Sequence, residues 1–212
     1  MKSANQKLLG SVLLSVCLGA ALSACAPMMV GGAVMGTLMA TDRRTSGMQV
    51  EDEGIELKGA SRIRETLGER GHVNVTSYNR QVLLTGEVSG EQDKQAVEQI
   101  LSKVENVRSV VNELGILENS TLSQRSSDAL VTGKVKASMV DAQDLFANSF
   151  KVVTERGTTY LMGRVTQREA NRATDLVRSI EGVKKVVRVV ELISEEELQR
   201  LQAKPATTEP KK

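Results

Sequence analysis

The chain has 212 residues, 40% of them hydrophobic but only 2% aromatic, with no tryptophan, one histidine and two cysteines. Its cores must be aliphatic, and so few histidines and cysteines leave little basis for a zinc site or for Cys/His catalysis. The formal charge is +2, from 28 basic and 26 acidic residues; setting aside Lys2 and Lys7, which lie in a leader, the remainder is neutral.

Residues 1–24 read as an export signal. A positive start (Lys2, Lys7) precedes an apolar run from Leu8 to Leu22, which is shorter than the roughly 20 residues a membrane span needs. Leu22-Ser23-Ala24-Cys25 resembles the bacterial lipobox, so Cys25 is expected to be lipidated and to begin the mature chain; the alternative is an ordinary signal peptide with a chance cysteine. Cys17 would be discarded with the leader, leaving no disulfide. The absence of aspartate at Ala26 favours, by the same resemblance, the outer membrane. Several acyl chains, each worth about 0.8 kcal/mol per buried methylene, make such an anchor permanent. Residues 25–50 are expected as a tether. The run Met28–Ala40 is apolar but carries Gly31, Gly32 and Gly36, and it either rests on the lipid interface, packs on a partner or remains a flexible link. Asp42-Arg43-Arg44 and Glu51-Asp52-Glu53 mark the end of the linker.

Residues 52–117 and 128–193 carry one pattern twice, at an offset of 76 to 77. Leu83-Leu84-x-Gly86-x-Val88 matches Tyr160-Leu161-x-Gly163-x-Val165, and Asn106-Val107-x-x-Val110-Val111 matches Gly182-Val183-x-x-Val186-Val187. Val97, Ile100, Leu101 and Val104 match Ala173, Leu176, Val177 and Ile180, one face of a helix. Each copy reads as helix, strand, strand, helix, strand, which predicts an α+β fold of two tandem small units over 51–118 and 119–193. In the second copy, Ser127 or Asp128 is expected to cap a helix carrying Val131, Val135 and Met139. Strands follow at Phe150–Glu155 and Thr158–Val165, joined at Arg156-Gly157, then a helix over Arg168–Ile180 and a strand over Val183–Ile193. Residues 194–212 read as a short helix capped at Ser194 and a disordered tail around Pro205 and Pro210.

Candidate chemistry is sparse. Gly86 and Gly163 each stand alone at a strand end without a phosphate-loop context, which points to a bulge or close backbone approach. His72 has no cysteine, second histidine or suitably spaced carboxylate near it in sequence, so no metal site is expected. Asp141 and Asp144, in a loop after a helix, read as capping or solvated groups rather than an acid/base pair.

The repeats resemble the BON domain, an αββαβ module of bacterial envelope proteins, in the Leu-x-Gly-x-Val strand end and the Gly-Val-x-x-Val entry to the last strand. With Leu-Ser-Ala-Cys, the glycine-rich tether and the segment Ala40–Val50, the whole chain resembles the dual-BON outer-membrane lipoproteins of the YraP/DolP type. The resemblance implies no catalysis, no cofactor beyond the covalent lipid on Cys25, binding of anionic phospholipid, and a role in outer-membrane integrity at the division zone. Asn106, where the second copy keeps Gly182, departs from the pattern and marks the first copy as divergent.

Residues 51–118 hold 8 basic and 13 acidic side chains, whereas residues 125–193 hold 12 and 8. Each basic group near an anionic surface contributes about 1 kcal/mol, so the second copy is the candidate binder of phosphatidylglycerol or cardiolipin. The bland alternative is an ordinary solvated basic face. Its first helix should turn Val131, Val135 and Met139 to the sheet and place Leu130, Lys134 and Ala137 on an adjacent face. Gly133 would allow close approach of a headgroup or acyl chain. Leu145 and Phe146 either insert into lipid or cover the end of the core. Lys184, Lys185 and Arg188 add positive charge near the last strand or neutralise the acidic copy, and docking of one copy on the other competes with membrane binding. A second function class is a periplasmic scaffold that uses the acidic copy, including Glu65 and Glu69, to hold another envelope protein such as outer-membrane protein-assembly machinery. Nucleic acid is disfavoured by compartment, neutral charge and the lack of aromatic platforms.

Overall fold

The computed structural model describes residues 42–202. The expected signal peptide, Cys25, the glycine-rich run and the C-terminal tail lie outside the described residues. The described residues contain all three hydrophobic clusters, so residues 41–212 carry the cores they need to fold on their own.

The first domain runs α1 (Ser46–Leu67), β1 (Gly71–Tyr78), β2 (Gln81–Val88), α2 (Glu91–Ser102), β3 (Ser109–Asn112) and β4 (Gly115–Ile116). The second runs α3 (Leu122–Asp141), a 3-10 turn (Ala147–Ser149), β5 (Phe150–Glu155), β6 (Thr158–Val165), α4 (Gln167–Arg178) and β7 (Lys185–Leu192), and α5 (Glu195–Gln202) follows. In both domains the middle strand in space pairs antiparallel with the strand before it and parallel with the strand after the helix. β3 and β4 continue one register along β2, interrupted at Glu113 and Leu114.

Two helices start several residues before the sequence expectation, and β7 starts two residues after it. α1 begins at Ser46, where the Thr45 side chain accepts the N–H of Met48 at 3.2 Å, so the helix claims part of the segment expected as tether. α3 begins at Leu122, capped by a Thr121/Gln124 capping box rather than by Ser127 or Asp128. Asp128 is instead buried and grips the β5–β6 turn, accepting the N–H of Arg156 at 2.8 Å and of Gly157 at 2.9 Å. Asp52 repeats the device in the first domain, accepting the N–H of Asn79 and of Arg80, both at 2.8 Å. All four turn residues have positive φ, the conformation that a two-residue hairpin requires; Asn, Gly and the two arginines hold it with an aspartate beneath.

Alternation along each central strand divides its side chains between two buried faces. Val82, Leu84 and Val88 join Ile55, Ile63, Leu67, Val97 and Leu101 in the first core. Leu161 and Val165 join Val131, Val135, Met139, Ala173 and Val177 in the second. The opposite faces of the two sheets meet in a third cluster, Tyr78, Leu83, Tyr160, Met162 and Val189, with Val111 and Val187 beside it. The chain's two tyrosines both lie in this seam. Gly86 and Gly163 explain themselves here: a Cβ would stand 2.0 Å from the His72 carbonyl oxygen and 2.4 Å from that of Ser149, so only glycine lets the neighbouring strand approach. Asn106 keeps the positive φ of its counterpart Gly182 and leaves the turn intact.

Candidate functional site

α3 is apolar on two opposite sides. Asp128, Val131, Val135 and Met139 point inward, while Leu130, Gly133, Lys134 and Ala137 are exposed. At 100° per residue the exposed stripe extends to Leu122 and Val140, which sequence reasoning did not single out although Val140 lies ten positions after Leu130. Leu122 is 75% exposed and Leu130 and Val140 are each 70% exposed. Open space surrounds the position where a Gly133 Cβ would stand. Lys134 and Lys136 border the stripe on either side, and Lys134 Nζ reaches Glu181 at 3.2 Å in an exposed pair of little energetic weight.

The loop after α3 splits the expected pair. Leu145 is buried in the second core, which fits the expectation that it covers the end of the core and removes it from the exposed surface open to lipid. Phe146 remains half exposed, with the Arg43 guanidinium 5.9 Å from its ring centroid.

Arg43 and Arg44 are structural rather than part of a loose link. Arg43 makes a forked contact with Glu169 at 2.8 and 2.6 Å and donates to the Arg164 carbonyl at 2.8 Å, all in the second domain. Arg44 donates to Asp52 in the first at 2.8 Å and lies 4.3 Å from the Tyr78 ring centroid. Consecutive arginines thus fasten the start of the described chain to both domains. Burial alone would raise the Glu169 pKa; the bonds from Arg43 and the Thr166 N–H outweigh it and hold the carboxyl below its ordinary value.

The domains dock, as charge asymmetry allowed, and the dock leaves the α3 stripe uncovered. Lys151 reaches Glu56 and donates to the Ser77 carbonyl at 3.1 Å, and Arg156 pairs with the fully buried Glu87. Arg108 and Asn79 each donate to Glu191 at 2.8 Å, a pairing of the reverse sign. Tyr78 Oη donates to the Ser149 carbonyl at 3.3 Å. The docked surfaces and the exposed α3 stripe are therefore separate. His72, which has no nearby partner in sequence, faces Glu87 and Glu155 here, because strand pairing and docking bring in residues 15 and 83 positions away. Burial pushes the Glu155 carboxyl up despite the hydrogen bond from Asn74.

Among the described residues no helix is long and apolar enough to cross a membrane. The BON domain family matches residues 52–118 and 127–193. The chain is 37% identical over 180 residues to the outer membrane lipoprotein DolP of Haemophilus influenzae, covering 83% of this chain and 93% of that one. It is 29% identical over 154 residues to a 21 kDa hemolysin of Actinobacillus pleuropneumoniae, covering 72% and 79%. Among solved structures, CdsD of the Chlamydia trachomatis type III secretion system aligns over 70% of this chain and 99% of its own, with 15% identity and a TM-score of 0.29. The domain family and the names of the curated relatives point to a non-enzymatic family. Two BON domains and this degree of identity place the chain in the family of dual-BON outer-membrane lipoproteins of the DolP type.

Proposed function

We propose that this protein acts without catalysis, held at the periplasmic face of the outer membrane by lipid on Cys25, and binds anionic phospholipid through the exposed stripe of α3. The observation that carries the reading is the stripe itself. Leu122, Leu130, Ala137 and Val140 lie along a helix about 30 Å long, bordered by lysines and uncovered by the other domain. Apolar side chains enter the acyl boundary while Lys134 and Lys136 meet phosphate, which favours phosphatidylglycerol or cardiolipin over a zwitterionic lipid. Phe146 extends the apolar surface beyond the helix end. Through this contact the protein would sense lipid composition and support outer-membrane integrity at the division zone.

Residues 41–212 co-sedimented with vesicles test this. Binding to vesicles containing phosphatidylglycerol or cardiolipin, weakened by moderate salt and absent on neutral vesicles, supports it; no binding to the anionic vesicles contradicts it.

One observation favours a second reading. α1 leaves Val50 and Leu57 exposed at 69% and 73% on the acidic domain, a surface suited to a protein partner in the envelope, such as outer-membrane protein-assembly machinery. Loss of that partner on charge reversal at Glu65 and Glu69, with retention in a Leu130 variant, would identify it.

A further inference from the structure

The seam between the domains contains a cluster that phospholipid binding does not use. His72 on β1, Glu87 on β2 and Glu155 on β5 each offer a nitrogen or oxygen atom within 4.8 Å of the other two. His72 Nδ1 and Glu87 Oε2 are 3.3 Å apart. Two ligands about 2.0–2.1 Å from one tetrahedral zinc ion are separated by about the same distance.

The surroundings hold these groups in place. Asn74 Nδ2 donates to Glu155 Oε2 at 2.8 Å and Thr85 Oγ1 lies 3.4 Å from the same atom. Arg156 donates to Glu87 Oε1, and the Ser120 N–H donates to Oε2 at 3.1 Å. Such partners orient metal-ligating carboxylates before an ion arrives. Glu155 is the more telling of the two. It is only 8% exposed and, among the described residues, makes no ion pair, since Arg156 is committed to Glu87. A carboxylate buried in this way stays charged only when it is paired or coordinates a metal. His72 and Glu155 also line an open cleft of about 410 Å³, with Asn74, Arg125 and Asp128 beside them, which reaches two of the three ligands and leaves room for a water ligand.

We propose that His72, Glu87 and Glu155 bind one divalent transition-metal ion, zinc in the first place, with water completing the coordination. The imidazole nitrogen selects against calcium and magnesium, which take oxygen ligands. Because two ligands come from the first domain and one from the second, the ion clips the docked arrangement together and stabilises it by mass action.

The test uses residues 41–212, which contain no cysteine and a single histidine, so competing soft ligands are few. Chelator-treated protein is titrated with zinc chloride by calorimetry and melted with and without zinc. One ion per chain is expected, with Tm raised by roughly 5–10 °C at a hundredfold excess over Kd, and no such shift with calcium or magnesium. Glu155→Gln keeps the side-chain shape and can still accept from Asn74, so it should fold at least as well as the parent while binding zinc at least tenfold more weakly. His72→Gln should weaken binding similarly. No stoichiometric zinc binding, or equal binding by the Glu155→Gln protein, would overturn the assignment.

Discussion

Asp128 accepts the backbone N–H of Arg156 at 2.8 Å, and through that contact a helix of the second domain fixes the turn whose arginine crosses the seam to Glu87. Asp52 does the same for Asn79 and Arg80 in the first domain. Each carboxylate satisfies two turn donors in part-buried or buried positions. Asp128→Ala is therefore expected to cost about 3 kcal/mol in urea unfolding of residues 41–212. A loss below about 0.5 kcal/mol would mean that the turns form without their clamps.

Acid dependence follows from Asp52. Burial alone would raise its pKa, but hydrogen bonds from Ser77, Arg80, Arg44 and Asn79 outweigh it and hold the carboxyl below 3.8. A depressed folded pKa contributes stability that is present above the unfolded value and is lost as pH falls through the folded one. The stability gap between the parent and Asp52→Asn should therefore be constant near neutral pH and close progressively below pH about 4. A gap that stays constant down to pH about 2 would contradict the assignment.

Arg43 and Glu169 are both buried, with side chains 6% and 2% exposed. Removing one partner of a buried pair leaves the other charge uncompensated, at about 3–5 kcal/mol. Arg43→Ala should unfold at markedly lower urea concentration, and a fragment beginning at residue 45 should resemble it. Unchanged stability in both would show that the segment is a passive link.

Tyr78 and Tyr160 report the seam because the chain has no other tyrosine and no tryptophan. Burial, aided by Asp42 at Tyr78 and by Glu113 at Tyr160, pushes both phenols up to about 12. In ultraviolet titration of the folded protein neither should ionise near the ordinary value of about 10, whereas both should in urea. Since the neutral phenol is favoured in the fold, stability should fall as pH rises above about 10. Ionisation of one tyrosine near pH 10 in the folded state would mean that the domains separate.

Leu130→Glu places a charge on the exposed stripe and should abolish binding to anionic vesicles with Tm unchanged within about 2 °C. Leu57→Glu, at an equally exposed site on the first domain, should leave vesicle binding intact. Equal loss in the two variants would remove α3 as the contact.

The repeat, the bounds of the first two strands of the second domain and the inward face of α3 were legible because they rest on local periodicity; the last strand is shorter than expected, Lys185–Leu192 rather than Val183–Ile193. Phe150–Glu155 and Thr158–Val165 appear with the expected bounds. What sequence could not show depends on residues far apart in the chain. Asp128 looked like a cap because aspartate before an apolar helix usually is one, and its turn partners lie 28 and 29 residues on. Leu145 and Phe146 are adjacent and both apolar; only the packing of α3 against β5 decides that one is core and the other surface. His72 acquires its carboxylates through strand register and through a domain interface, neither of which spacing encodes. Leu122 and Val140 lie on the outer face by helical periodicity alone, but Leu122 precedes the Ser127/Asp128 cap signal and so falls outside the helix that signal predicts.

The most direct test of the account places a reporter on the stripe. Residues 41–212 contain no cysteine, so Ala137→Cys and Gln99→Cys each carry one environment-sensitive fluorophore, on the outer face of α3 and on α2 of the first domain. With vesicles containing phosphatidylglycerol or cardiolipin, the label at position 137 should shift to the blue and gain intensity while that at 99 stays constant, and neither should respond to neutral vesicles. A label at 137 that remains in a water-like environment while the protein sediments with anionic vesicles would show that another surface meets the lipid, and the central claim would fail.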